Sequence, residues 1–174
     1  MAQNSAISKL FSVGKMICVV GFGNLLLGDD GVGIRIIQRL KMMDLPSQVD
    51  IIDAGVYGAI LFSLVEKYNK IIVVDAFRSN CDIENILFMK ASQIIKEKEK
   101  YYFSGHDLSL FDIFSMMKSV HSEKILDNIC IMGIRIHKIE ESLELSDDVA
   151  KSAERAVNMI KDDFLRGDES WMNH

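Results

Sequence analysis

The sequence predicts an α/β fold, a parallel sheet covered by helices on both faces. Three observations carry this. Short apolar runs rich in β-branched residues recur without in-and-out alternation, which suits strands buried on both faces. Amphipathic helical patterns fall between those runs. The chain of 174 residues has the length of one ordinary domain, with enough residues for a sizeable core. No internal repeat or flexible linker divides it. Residues 16–166 therefore read as one domain, with an N-terminal extension over 1–15 and a tail over 167–174.

The first strand is Met16 to Val20 (MICVV), ending in glycine. The second covers residues 49–52 and is closed by Asp53. The third, Ile71 to Val74, is closed by Asp75. Ile86 to Met89 gives a fourth, after the turn-like Ser79-Asn80-Cys81-Asp82, and Ile129 to Ile134 a fifth. Helical spacing runs from Gly31 to Met43 through Val32, Ile36 and Leu40, and from Tyr57 to Tyr68 through Ile60, Leu61, Leu64 and Val65. It returns from Asp107 to Val120 and from Asp147 to Phe164. Ser146 is the expected N-cap of the last helix, and Asp147 and Asp148 suit the positive end of its dipole. The charged stretch Lys96 to Lys100 reads as a solvated turn.

Composition narrows the chemistry. Hydrophobic residues at 49% and charged residues at 26% give a globular balance, not a disordered one. A net charge of −5 lacks the electrostatic footprint of a nucleic-acid binder. No run of about 18 apolar residues is present, so no transmembrane helix is expected. Three cysteines and four histidines, scattered, form no zinc clip and no disulfide scaffold. A reducing, cytoplasmic setting is the expectation. Catalysis must then draw on few histidines and many carboxylates.

The first strand leads into Gly21-Phe22-Gly23-Asn24 and then Gly28-Asp29-Asp30-Gly31-Val32-Gly33. A dinucleotide fingerprint fails here, because Leu26 stands where the third glycine belongs. Asp29 and Asp30 would also repel a phosphate at that helix start. Asp29 is placed to cap the helix, which leaves Asp30 to face the cleft. The plain structural alternative is that both acids only satisfy the helix dipole.

In an open parallel sheet, ligands bind beyond the carboxyl ends of the strands. Asp30 follows the first strand, and Asp53 and Asp75 close the next two, so three carboxylates gather at one edge. Each alone reads equally as a turn-forming Asp. His106 lies in Ser104-Gly105-His106-Asp107, whose spacing resembles a capping box with Asp in place of Glu or Gln. At a helix start the dipole keeps an imidazole neutral and able to bind metal. Two carboxylates and one imidazole form an O,N set suited to a borderline divalent ion. His121, His137 and His174 read as surface or tail residues. Cys18 and Cys130 read as buried hydrophobes. Neither Cys81 nor Ser104 has a nucleophile elbow around it, so a Cys81–His106 dyad has no local support.

These motifs, in order, resemble the hydrogenase maturation proteases: Gly21-Phe22-Gly23-Asn24, Gly28 to Gly33, Asp53-Ala54-Gly55, Val74-Asp75-Ala76 and His106-Asp107-Leu108. The resemblance runs from about Met16 to Ile160. It implies a three-layer α/β/α sandwich around a mostly parallel, five-stranded twisted sheet. It also implies an endopeptidase that removes the C-terminal extension of a nickel–iron hydrogenase large-subunit precursor after nickel insertion. By that resemblance Asp30, Asp75 and His106 are the catalytic and metal-contacting residues. The nickel is carried by the precursor. Asp53, Gly55 and Tyr57 fall in the loop linked to substrate selection. Val56 and Tyr57 depart from the Asp-Gly-Gly-Thr that this loop often reads, and Gly133 to His137 lacks a proline common after the last strand.

The resemblance implies a monomer whose partner is the nickel-loaded precursor, with no nucleic-acid or membrane partner. The alternative is a non-catalytic, metal-sensing maturation chaperone of the same fold. A self-sufficient aminopeptidase-like metal site would want more ligands than this edge supplies.

Overall fold

The computed structural model describes residues 16–103 and 109–166. The extension over 1–15 and the tail over 167–174 lie outside those residues, as does His106. Six strands form one sheet: β1 (Ile17–Gly21), β2 (Val49–Asp53), β3 (Lys70–Arg78), β4 (Ile86–Lys90), β5 (Tyr102–Phe103) and β6 (Ile129–Arg135). The helices are α1 (Val32–Lys41), α2 (Leu61–Lys67), α3 (Ala91–Ile94), α4 (Leu110–Val120) and α5 (Asp147–Arg166).

The main path through the sheet is β2-β1-β3-β6-β4, with β5 attached to the end of β3. The first four strands of that path pair in parallel, and β4 and β5 join antiparallel. The five expected strands therefore make the main path. The two-residue β5 is an addition that its short sequence could not announce.

β3 shows why the apolar runs do not alternate. Ile71, Val73 and Phe77 enter one core, and Ile72, Val74 and Ala76 enter the other. On the first face lie α2, α3 and α4, through Leu61, Leu64, Ile94, Ile113, Phe114 and Met117. On the second lie α1 and α5, through Ile36, Ile37, Leu40, Ala153, Ala156 and Ile160. The arrangement is the expected three-layer sandwich.

Several boundaries move. The stretch from Tyr57 to Ile60 is not α-helix, because a 3-10 turn at Gly58–Ile60 precedes α2. The expected helix start at Asp107 gives way to a cap at Ser109, whose hydroxyl accepts the Asp112 N–H at 3.2 Å and donates to the Asp112 carboxylate at 2.6 Å. The capping-box spacing read at Ser104–Asp107 lies outside the described residues. β3 does not end before Asp75 but continues to Arg78. Among the described residues, no helix is long and apolar enough to cross a membrane.

Candidate active site

The loop after β1 is built around close backbone approaches. The Phe22 N–H donates to the Val74 carbonyl at 2.9 Å, and the Gly23 N–H donates to the Gly55 carbonyl at 2.9 Å. Gly23 has φ +139°, and a Cβ there would lie 2.2 Å from the Asp30 carbonyl oxygen. Only glycine allows both the conformation and the contact. Asn24 then turns the chain: its side-chain oxygen accepts the Leu26 N–H at 2.9 Å and its carbonyl accepts the Leu27 N–H at 3.0 Å.

A 3-10 turn, Gly28–Gly31, follows and buries both acids, with Asp29 and Asp30 only 7% and 4% exposed. The Asp30 carboxylate accepts the Asn24 N–H at 3.0 Å. This bond closes the glycine loop on the acid that the loop presents. α1 begins at Val32 and has no side-chain cap.

Asp29 is not the cap of α1. Its carboxylate instead accepts the N–H of Ser146 at 2.7 Å and the Ser146 hydroxyl at 2.9 Å. Ser146 does precede α5, and its carbonyl accepts the Ala150 N–H at 2.8 Å. The 3-10 turn spends its one long-range carboxylate on the start of a different helix.

Asp75 is fully buried and lies opposite Gly133 of β6, one residue past the position where Val74 pairs with Gly21. β1 has ended at that level, so Asp75 stands where the sheet opens toward the glycine loop. One of its oxygens accepts the Ala76 N–H at 2.8 Å. The turn bearing Asp30 packs against β3. Gly33 makes this possible, since a Cβ there would lie 2.5 Å from the Val74 carbonyl oxygen. Asp30 and Asp75 are thus brought to one edge.

Asp53 is a different kind of acid. It is exposed, and its carboxylate accepts the Gly55 N–H at 3.0 Å, so it shapes a turn with Gly55 at φ +53°. It sits two strands from β3, about 10 Å away by strand spacing. Tyr57 on the same loop is 64% exposed and Val56 46%, so both side chains face solvent. Asp53, Gly55 and Tyr57 therefore rim the edge without joining the buried pair.

The helix-dipole argument for a neutral His106 needs a helix start earlier than the one observed, because the cap of α4 is Ser109. Among the described residues, no three His, Cys, Asp or Glu side chains cluster to hold a metal. The cysteine reading holds: Cys18 and Cys130 are buried, and desolvation pushes each thiol up to about 12. Cys81 is exposed and unbridged.

A family model described as hydrogenase maturation protease matches residues 34–163. The chain belongs to the hydrogenase maturation protease family. A protein of Methanocaldococcus jannaschii named as a hydrogenase maturation protease is 35% identical over 151 residues, covering 84% of this chain and 94% of that one. The hydrogenase 2 maturation protease of Escherichia coli is 25% identical, with 83% and 87% covered. The coenzyme F420 hydrogenase subunit delta of Methanothermobacter thermautotrophicus is 31% identical, with 85% and 94% covered. The fold resembles that of the hydrogenase maturating endopeptidase HybD from E. coli, with TM-score 0.67, 23% identity and 83% and 88% covered. The maturation protease HycI from Thermococcus kodakarensis gives TM-score 0.66 at 22% identity, with 90% and 97% covered.

Sequence reasoning on this maturation-protease chain missed the Asp29–Ser146 tie. A signal was present: two adjacent acids begin one helix, and only one is needed there. It also missed Asn24, whose side chain and N–H both organise the loop.

Proposed function

We propose that the chain is an endopeptidase that removes the C-terminal extension of a nickel–iron hydrogenase large-subunit precursor after nickel insertion. The observation that carries this reading is the pair of buried carboxylates, Asp30 and Asp75, at the open carboxyl edge of the sheet. Burying two carboxylates together is costly in desolvation. A substrate that arrives with a divalent cation would offset that cost, and membership of the maturation-protease family supports a hydrogenase precursor as the substrate. Asp30, Asp75 and His106 would contact the substrate's nickel, while Asp53, Gly55 and Tyr57 meet its polypeptide. The names of the E. coli and M. thermautotrophicus relatives support a hydrogenase as the partner.

The reaction is hydrolysis. The substrate's nickel, held against Asp30, Asp75 and His106, would supply Lewis acidity to the scissile carbonyl or to a water. A carboxylate, Asp30 or Asp75, accepts the proton as the water oxygen attacks the carbonyl carbon. The C–N bond breaks, and the leaving amine takes that proton. With three unbridged cysteines, the chain suits a cytoplasmic setting, and it would act as a monomer.

One relative bears the name of a hydrogenase subunit, which favours a second reading as a non-catalytic, metal-sensing chaperone of this fold. Cleavage separates the two. Purified chain mixed with nickel-loaded precursor should release the extension, read as a mass loss, and nickel-free precursor should stay intact. Asp30→Ala, Asp75→Ala and His106→Ala variants that processed loaded precursor at the wild-type rate would overturn the site.

A further inference from the structure

Past Asp75, β3 continues to Arg78 and opens into a basin that the proposed chemistry does not use. Arg78, Ser79, Asn80, Tyr102 and His137 line it around the buried Ile136, enclosing about 390 Å³. Every polar side chain on it can donate a hydrogen bond, and none is a carboxylate. Among the described residues, the side chains of Arg78 and His137 take part in no hydrogen bond or ion pair. Arg78 places an exposed positive charge on a chain of net charge −5, at an edge that also carries Asp30, Asp53 and Asp75.

The walls are set in advance. The Ser79 hydroxyl accepts the Cys81 N–H at 3.1 Å. The Arg135 guanidinium donates to the carbonyls of Ile83 at 2.7 Å and Cys81 at 3.1 Å, and lies 3.7 Å from the Asp82 carboxylate. β5 holds Tyr102 opposite Arg78, and the Ile136 N–H donates to the Phe77 carbonyl at 2.9 Å. The basin therefore needs little ordering to receive a ligand.

We propose that this basin is a carboxylate subsite, reading an acidic side chain of the precursor polypeptide, with Arg78 as its anchor. The proposal rests on the precursor-processing reading and adds a specificity contact to it. A guanidinium suits a carboxylate because its forked donors bind both oxygens. The basin is too open to hold a small free anion by itself, since ligand pockets bury most of their guest. A carboxylate tethered to a polypeptide already engaged elsewhere needs only this contact, because its effective concentration is high. Arg78 lies about 10 Å along the strand from Asp75, within reach of one extended peptide crossing the edge. Acid meets the substrate's metal, and base meets the substrate's acid, which fixes the direction in which the peptide lies.

The test is a charge swap on the full chain. Arg78→Glu should lower kcat/KM on loaded precursor about tenfold or more, through KM, and weaken precursor binding by a similar factor in a surface-immobilised assay. Each Asp and Glu near the precursor's C-terminus is then changed to Lys in turn. One of these precursors should be poor for the wild type and restored with Arg78→Glu. Arg78→Glu within twofold of wild type in both readouts, or no restoring precursor, would overturn the subsite. A wild type that binds but does not cleave sinks the protease reading alone, since the swap still reads in binding. Failure to bind any precursor overturns both.

Discussion

The Asp29 carboxylate grips Ser146 twice, through the backbone N–H at 2.7 Å and the hydroxyl at 2.9 Å, across 117 residues of chain. The contact joins the turn that presents Asp30 to the first residue before α5. Asp29 is buried whereas Ser146 is exposed, so the two bonds gain from being charge-assisted more than from exclusion of water. The negative charge also sits at the positive end of the α5 dipole. Asp29→Ala should cost about 1–2 kcal/mol, since it removes two charge-assisted hydrogen bonds whose Ser146 donors water can partly satisfy. Ser146→Ala should cost less, because the N–H bond survives. Urea unfolding of both single variants and the double variant should give a coupling energy of about 1 kcal/mol or more. Additive losses would show that the tie is incidental.

Two glycines of the same edge should respond very differently to alanine. A Cβ at Gly33 would stand 2.2 Å from the Phe22 carbonyl oxygen and 2.5 Å from that of Val74, both backbone atoms that cannot swing aside. Gly33→Ala must push α1 off the sheet, at a cost of about 3 kcal/mol or more. Gly55 has φ +53° but open space around its Cβ position. Gly55→Ala should cost only about 1 kcal/mol, the strain of a left-handed conformation. Thermal melts of the two variants check the order.

How far the sequence spoke can be seen at Asp30 and Asp29. The parallel-sheet rule places Asp30 at the carboxyl edge, and the structure has it there, buried and held by the Asn24 N–H. The role of Asp29 was illegible because it depends on Ser146, and local capping rules reach only a few residues. Asp75 was found as an edge acid, although β3 runs on past it. No rule based on apolar runs extends a strand through a buried acid. β5 escaped because two residues carry no periodicity. The start of α4 slipped because Ser104 and Ser109 each precede an aspartate by three residues, and both spell the same capping box.

The edge acids should separate by kinetic signature. Asp30→Asn keeps an oxygen to accept the Asn24 N–H, so the loop should hold its shape while losing charge. Cleavage of loaded precursor by that variant should fall about 100-fold or more, mainly in kcat. Asp53 is exposed and shapes a turn proposed to meet the substrate polypeptide, so Asp53→Asn should act mainly on KM. Steady-state kinetics on one precursor tests both. A kcat effect at Asp53 equal to that at Asp30 would place Asp53 among the catalytic groups.

The buried thiols predict how the fold responds to alkali. Burial is the leading cause that pushes Cys18 and Cys130 from 9.0 to about 12. In the unfolded chain each thiol ionises near its ordinary value, whereas the folded chain keeps it protonated. Below pH 9 both states hold the proton, and the thiols do not tilt the balance. Above it the unfolded state sheds protons that the folded state retains, so stability falls as pH rises. The loss is about 1.4 kcal/mol per pH unit for each thiol, until the folded pKa is reached. Urea titrations between pH 8 and about pH 10.5 should show this slope. Cys130→Ala, which leaves Cys18 as the one buried thiol, should roughly halve the slope between about pH 9 and 10, below the range where the raised tyrosines and lysines add to it. The same burial should protect both thiols from a maleimide at neutral pH, leaving only the exposed Cys81 to label. Labelling of Cys18 or Cys130 as fast as Cys81 in the folded protein would contradict their place in the strand core.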